Sequence, residues 1–187
     1  PVSAPVILRG LDVGPCVARW ADDAYLTRAT QGVQLPVHVA NTPLMNMQPR
    51  NYSFRTVGMA ELLAAGKASS EGSSEGAAAA AEYMYLRSVG ADARKSVADI
   101  AETFPELARD ITVPAFVPEA AAFSSVLRVS SPGLQLWPHF DVADNFLVHV
   151  RGRKRVTLWA PAHAGALGIA AAPDASSAPF TRLPSAA

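Results

Sequence analysis

The chain has 187 residues, half of them apolar, which is enough for one domain with a substantial core and tight for two. Its 16 Lys and Arg residues balance 16 Asp and Glu residues, so overall charge attracts it neither to nucleic acid nor to an anionic membrane. The single Cys16 excludes an internal disulfide, and no signal-peptide pattern or membrane-length apolar run is visible, so we expect an intracellular protein, cytoplasmic or nuclear.

The first part of the chain predicts strands and helices in alternation. A β-rich run predicts a strand over residues 5–10, and residues 16–30 favour a short helix. Residues 33–39 alternate, which places the apolar side chains on one face of a strand and His38 on the other. Residues 59–65 predict a second helix.

A low-complexity segment follows this helix. Residues 67–81 contain a repeated Ser-Ser-Glu-Gly and a run of five alanines. Such a segment buries very little apolar surface, so it gains too little to offset the entropy of ordering. We predict a disordered surface insertion at about residues 67–81.

The second half of the chain is the more β-rich half. Residues 82–87 predict a strand, and residues 96–104 a short helix that starts at a Ser cap and ends before Pro105. Beyond them, short β-rich runs separated by turns favour a barrel or a sandwich. The predicted strands there are 123–129, 134–137, 145–150 and 154–159.

The segment Trp-Pro-His-Phe-Asp contains the clearest chemical signal. His139 and Asp141 are two residues apart, so in extended backbone their side chains point the same way and both can bind one metal ion. An imidazole and a carboxylate are two of the three ligands of the two-His-one-carboxylate triad, which leaves positions on Fe(II) for a keto acid and oxygen. A lone His-x-Asp is common by chance, so the pair is only a weak signal.

Two further residues extend this signal. Asn145 lies four residues after Asp141, and Lys154 lies on a predicted strand whose other residues on that face are apolar. A Lys on an apolar face is costly unless it meets an anion, and the distal carboxylate of 2-oxoglutarate is a suitable one. Alternatively, Lys154 is solvated together with the neighbouring arginines, and the residues alone leave both interpretations open.

The segment 123–145, which includes Pro-Gly-Leu-Gln-Leu-Trp-Pro-His-Phe-Asp, resembles the JmjC-type hydroxylases that act on wybutosine precursors in tRNA. The resemblance covers about residues 5–165, apart from the low-complexity insertion. Further similar blocks are residues 5–16, 37–40, 85–100 and 150–156. Blocks of this length are far more specific than a His-x-Asp alone.

This resemblance implies an α+β fold, mainly β, in which N-terminal helices precede a double-stranded β-helix, the cupin or JmjC jelly roll. It implies Fe(II) and 2-oxoglutarate as cofactors. Matched position by position, His139 and Asp141 correspond to iron ligands, and Tyr85, Asn145 and Lys154 to residues that hold 2-oxoglutarate. The implied reaction is a dioxygenase reaction that hydroxylates the amino-carboxypropyl side chain of a modified guanosine in phenylalanine tRNA.

The second iron-binding His of this family comes several tens of residues after the first pair, and the sequence stops before it. We therefore expect residues 1–165 to form a partial JmjC/cupin-like domain, truncated before the last barrel strands, and residues 166–187 to form an Ala/Pro/Ser-rich tail. His163 has no strand pattern around it and is not expected to be the third ligand. His149 lies on a predicted strand away from the ligand positions, so we expect it in the core or lining the barrel.

The partners follow from the resemblance. It implies phenylalanine tRNA and, for a full-length protein, a homodimer, and we expect no membrane partner. The basic turn at residues 151–155 either contacts phosphates or is a solvated hairpin. Two other functions stay open: a JmjC protein hydroxylase or demethylase, and a non-catalytic cupin-like fragment that lacks the second iron-binding His.

Overall fold

The structure is a computed structural model that describes residues 5–47, 49–71, 82–90, 96–118, 122–141 and 144–167. Its helices are α1 Cys16–Arg19, α2 Asp23–Ala29, α3 Met59–Glu71, α4 Ile100–Thr103 and α5 Pro105–Ala108, with a 3-10 turn at Pro161–His163. Its strands are β1 Leu35–Ala40, β2 Leu44–Met45, β3 Ser53–Val57, β4 Tyr83–Arg87, β5 Arg128–Ser130 and β6 Gln135–Leu136. Among the described residues, no helix has both the length and the apolar composition that crossing a membrane requires.

Four strands form an antiparallel sheet in the order β3-β1-β4-β5, and β2 pairs with β6 in a separate parallel ribbon. In the large sheet, His38 lies between Phe54 on β3 and Tyr85 on β4, and Tyr85 lies opposite Ser130 on β5. Directly paired residues point to the same side of a sheet. These four side chains therefore share one face, which we call the site face.

The opposite face, which we call the core face, packs against the helices. The alternation predicted for β1 is confirmed, since Leu35, Val37 and Val39 are buried there. Leu62 of α3 and Phe104, between α4 and α5, belong to the same cluster. This cluster is the main hydrophobic core. Its buried members are Cys16, Trp20, Leu26, Leu35, Val37, Val39, Val57, Met59, Leu62, Met84, Leu86, Ile100, Phe104, Leu107 and Leu127.

A buried carboxylate connects the N-terminal helices to the segment after α5. Asp110 accepts hydrogen bonds from Arg19 Nη1 at 2.6 Å, Trp20 Nε1 at 3.0 Å and Tyr25 Oη at 2.5 Å. Burial alone would raise the pKa of Asp110, but the bonds from Tyr25, Trp20 and Arg19 outweigh it and lower that pKa. The charged form is therefore the one that the fold stabilises.

The backbone approaches closely at the same junction. The Cys16 amide donates to the Asp110 carbonyl at 3.0 Å, and the Thr112 amide donates to that of Val13 at 2.9 Å. Gly14, between them, has φ +88°, and a Cβ there would collide with the backbone of Asp110 and Thr112. Only glycine fits both that conformation and that space.

The helix boundaries differ from those predicted. Residues 16–30 form two helices because the side chain of Asp22 caps α2, accepting from the Ala24 amide at 2.9 Å. The helix predicted from residue 96 begins only at Ile100, because Asp99 rather than Ser96 is its cap. Pro105 ends α4 and then starts α5, a position that suits a residue without an amide hydrogen.

Helix α3 runs further than predicted and includes the first residues of the predicted insertion. It continues to Glu71, and Lys67 Nζ lies 2.7 Å from Asp23 Oδ2 of α2. This contact and the packing of α3 on α2 favour helix where composition alone predicted disorder. The remainder of the insertion, residues 72–81, lies outside the described residues.

Three predicted strands were wrong. Residues 5–10, 145–150 and 154–159 form no strand, although all of them are described. A strand exists only where a neighbour supplies hydrogen-bonding partners, and no described strand pairs with these segments. Several large apolar side chains in the last two segments are consequently exposed: Phe146, Leu147, Val148, Val156, Leu158 and Trp159.

Candidate metal and co-substrate site

A second, aromatic cluster covers the site face where the four-stranded sheet approaches the β2–β6 ribbon. Tyr52 and Tyr85 are buried in it, and Trp137 packs against it. The rings of Tyr52 and Trp137 are stacked, 5.8 Å apart and 12° from parallel. Trp137 follows β6 directly, so this stack holds the segment that contains the predicted metal ligands.

His38 lies inside this aromatic cluster. Its ring meets Tyr52 edge-on at 4.8 Å, and its Nδ1 lies 3.3 Å from the carbonyl oxygen of Tyr85. Burial lowers the pKa of His38, the bond to Tyr85 opposes that effect, and the charge of Arg87 adds to it. A neutral His38 therefore packs as part of the wall of the site.

The ring of His139 is oriented by the backbone. Its Nδ1 lies 2.9 Å from the carbonyl oxygen of Trp137. Since a carbonyl oxygen only accepts, Nδ1 carries the hydrogen, and in the neutral ring the lone pair is then on Nε2. Metal-binding histidines are held in this way, with the second ring nitrogen bonded to a carbonyl or carboxylate.

The Asp141 carboxylate has a partner within its own segment. Asn145 Nδ2 donates to Asp141 Oδ2 at 3.1 Å, and both residues are exposed. The charge of Asp141 also reaches the hydroxyl of Tyr85 and raises its pKa. Asn145 thus contacts the predicted carboxylate ligand, and Tyr85 lies within range of its charge.

Tyr85 is the most deeply placed of the predicted site residues, with 4% of its surface exposed. Burial raises the pKa of its hydroxyl, and the nearby Arg128 and Arg87 only partly offset that increase. The phenol therefore stays protonated at neutral pH. A protonated hydroxyl is a hydrogen-bond donor suited to a carboxylate.

Lys154 combines features of both interpretations left open by the sequence. The residue is exposed and lies on no strand, contrary to prediction. Partial burial of its ammonium group nevertheless lowers its pKa, and repulsion from Arg128 lowers it further. Lys154 is therefore exposed to solvent and also within electrostatic range of Arg128 on β5.

The basic turn is fixed to the helical side of the molecule. Arg151 Nη1 donates to Asp23 Oδ1 at 2.5 Å and to the Trp20 carbonyl at 3.3 Å. Gly152 follows with φ 85°, a conformation that favours glycine. Arg151 is thus engaged within the protein, while Arg153 and Arg155 are exposed.

A third metal ligand is not found within the part of the chain that the structure describes. No group of three His, Cys, Asp or Glu side chains there is placed to hold a metal ion. His163 lies in the exposed 3-10 turn, and His149 is exposed rather than in the core or a barrel lining as predicted. The described residues therefore provide an imidazole and a carboxylate, which fit two positions of a facial triad.

Comparison with known proteins identifies the domain. Residues 1–186 match the model of a family described as a cupin-like domain. The chain belongs to this family. The antiparallel sheet with few helices agrees with it, and the predicted α+β, jelly-roll class is confirmed. The match extends past residue 165, where we placed the end of the domain.

Several relatives have names that refer to wybutosine. The tRNA wybutosine-synthesizing protein 5 of Mus musculus is 45% identical over 161 residues, which are 86% of this chain and 50% of that protein. Its counterpart in Homo sapiens is 44% identical with the same coverage. The tRNA wybutosine-synthesizing protein 4 of Aspergillus oryzae is 35% identical, over 84% of this chain and 14% of its own. The chain spans about half the length of the protein 5 relatives that it matches.

Two features of the site could not be read from the local sequence pattern or were overlooked in it. The first is the aromatic wall, formed by Tyr52, Trp137 and His38. It was missed because these three residues lie far apart in sequence. Arg128 was missed although a signal existed: it alternates with Leu127 and Val129, which contribute to the main core, so it had to lie on the site face.

Proposed function

We propose that this chain is part of an Fe(II)/2-oxoglutarate-dependent hydroxylase that modifies the side chain of a wybutosine precursor in phenylalanine tRNA. The observation that carries the proposal is the orientation of His139. Its Nδ1 is bonded to the Trp137 carbonyl, which leaves Nε2 available for a metal ion, and Asp141 follows two residues later in the chain. This is the arrangement that a metal-binding His requires.

Each residue then has a defined task. His139 Nε2 and Asp141 would hold Fe(II), and Asn145 orients the Asp141 carboxylate through its amide. Bound iron would supply the activation of oxygen, so that one oxygen atom enters a C–H bond and the other enters succinate as 2-oxoglutarate loses carbon dioxide. Tyr85 donates its hydroxyl hydrogen to a co-substrate carboxylate, and Lys154 contributes positive charge.

The aromatic wall contributes by limiting access of water. Tyr52 and Trp137 are stacked, and the neutral ring of His38 fills the space beside them. Charge interactions are stronger where water is excluded, and side reactions of an oxidant with solvent are reduced. The wall therefore protects the side of the site that faces the sheet.

The choice of tRNA as substrate is supported by the relatives, whose names state that they synthesise wybutosine in tRNA. The exposed Arg153 and Arg155 are suitable for contacts with phosphates. They lie in the same turn as Lys154, so an RNA backbone bound there would pass near the co-substrate site.

The test is the hydroxylation reaction of the polypeptide encoded by the complete native gene. Phenylalanine tRNA that carries the precursor is incubated with Fe(II), 2-oxoglutarate and oxygen, and both succinate and the gain of one oxygen atom in the nucleoside are measured. We expect both products in equal amounts. His139→Ala and Asp141→Ala should each abolish both, because each removes a metal ligand.

A matched histidine provides the control. His163→Ala removes an exposed imidazole outside the site and should leave turnover unchanged. Undiminished turnover in either ligand variant would refute the metal site. Turnover on histone or other protein peptides without turnover on tRNA would instead favour a protein hydroxylase.

A further inference from the structure

The segment that contains the basic turn is held to the molecule by side chains rather than by strand pairing. Residues 144–159 pair with no described strand, so no ladder of backbone hydrogen bonds fixes their position. Val150 packs against the main core, and Arg151 Nη1 donates to Asp23 Oδ1 at 2.5 Å and to the Trp20 carbonyl at 3.3 Å. The position of the turn therefore depends on these contacts with the helical side.

Asp23 joins this segment to two helices at once. It lies in the first turn of α2, and its Oδ2 lies 2.7 Å from Lys67 Nζ of α3, while Oδ1 accepts from Arg151. Its side chain is 24% exposed, so both interactions are partly shielded from water. The bonds from Lys67 and Arg151 outweigh burial and lower the pKa of Asp23. The carboxylate is thus charged at neutral pH, with one cation on each oxygen.

The groups that hold Arg151 are themselves well fixed. Trp20, whose carbonyl accepts from Arg151, is buried and donates its indole hydrogen to Asp110 at 3.0 Å. On the other side of Arg151, Gly152 turns the chain with φ 85°, and Arg153 and Arg155 follow as exposed residues. Since only Gly152 separates Arg151 from Arg153, holding Arg151 restricts where the exposed guanidinium groups lie.

We propose that Asp23 is a positioning residue for tRNA: by holding Arg151, it fixes the turn that presents Arg153 and Arg155 to the phosphates of the substrate. The inference rests on the proposed function, in which this turn contacts tRNA. As an anion, Asp23 repels phosphates, so removing its charge without any effect on the turn strengthens RNA binding. Loss of the position of the turn has the opposite effect, and the sign of the change separates the two roles.

The first variant is Asp23→Asn in the complete native polypeptide. An amide has an acceptor at only one of its two ends, so it cannot face Arg151 and Lys67 as the carboxylate does. We expect trypsin to cleave after Arg153 and Arg155 faster than in wild type, because the turn opens more often. The Kd for precursor-bearing phenylalanine tRNA, measured by fluorescence anisotropy at fixed salt, should rise about threefold or more. Hydroxylation at saturating tRNA should stay near the wild-type rate.

A second variant tests whether Asp23 acts through Arg151. Arg151→Gln breaks the same bond from its other end, so it should also speed cleavage of the turn and raise the Kd. The double variant should bind tRNA no more weakly than the weaker of the two single variants, because the second change removes a bond that is already lost. Effects that add in full would show that the two residues act independently, which overturns the proposal.

The neighbouring carboxylate is the matched control. Asp22→Asn makes the same change of charge one residue earlier, and asparagine caps α2 as well as aspartate does. It should neither speed cleavage nor raise the Kd. If Asp23→Asn leaves the Kd unchanged or lowers it, or if Asp22→Asn raises it equally, Asp23 does not position the turn for tRNA. A wild type that binds no tRNA refutes the proposed function and this role together, whereas unchanged cleavage in both Asp23→Asn and Arg151→Gln refutes the positioning of the turn alone.

Discussion

The two faces of the four-stranded sheet differ in how completely their polar groups are paired. On the helical side, the buried Asp110 accepts three hydrogen bonds. Ser88 and Ser131 are also buried and accept from the amides of Leu127 and Met84, each at 2.9 Å, which ties β4 to the segments around β5. One exception on this side among the described residues is Arg55, opposite Val37, whose Nε is buried without a hydrogen-bond partner.

The site face has the opposite character. Arg87, Arg128 and Lys154 form no ion pairs within the described part of the chain, and the exposed ring of His139 is bonded to the Trp137 carbonyl through Nδ1, which leaves Nε2 for another partner. Proteins satisfy polar groups where stability is the purpose and leave them available where a ligand will complete them. The comparison therefore assigns stability to the core face and binding to the site face.

Two phenylalanines test this assignment with the same substitution, and we expect the largest effect here. Phe104 is 1% exposed in the main core, and Phe54 is 60% exposed on the site face. Phe104→Ala should lower the free energy of unfolding by about 4 kcal/mol, because it leaves a cavity. Phe54→Ala should lower it by less than about 1 kcal/mol. Denaturant titration measures both, and equal losses would contradict the division between the faces.

The paired carboxylate of the core face gives a smaller effect that depends on pH. The folded state lowers the pKa of Asp110, so its charge stabilises the protein above the unfolded value, about pH 4, and this contribution is lost as the pH falls further. Asp110→Asn should therefore cost about 2 kcal/mol at neutral pH and progressively less toward about pH 3. Urea titrations of both proteins across this range measure the difference. A cost that does not change with pH would show that the charge of Asp110 is unimportant.

Local patterns in the sequence predicted much of the core face. The alternation of residues 33–39 and the β-rich run 82–87 became β1 and β4, since each places a buried row against the helices. Strand predictions failed where no second strand is available for pairing. Residues 145–150 and 154–159 are as β-rich as the others, yet pair with no described strand. Helix starts were misplaced because Asp22 and Asp99 compete as caps with earlier polar residues.

The candidate site was predictable only where it is local. His139, Asp141 and Asn145 lie within seven residues, and the structure keeps Asp141 and Asn145 in contact. The position of Arg128 beside Tyr85 depends on the register of two strands that are distant in sequence. Its approach to Lys154 depends on how a later segment folds back. Such proximity is a tertiary property, so the spacing of residues does not contain it.

The smallest effect that we predict separates binding from stability at Lys154. The residue is exposed, so Lys154→Ala should leave the free energy of unfolding nearly unchanged. Its ammonium group is partly desolvated beside Arg128, so removing the charge should raise the Kd for 2-oxoglutarate, by up to about tenfold. Titration calorimetry and denaturant titration on the complete polypeptide measure the two quantities. If binding is unchanged, Lys154 belongs to the solvated turn; if stability falls instead, the site face also contributes to the fold and the contrast between the faces is weaker than we infer.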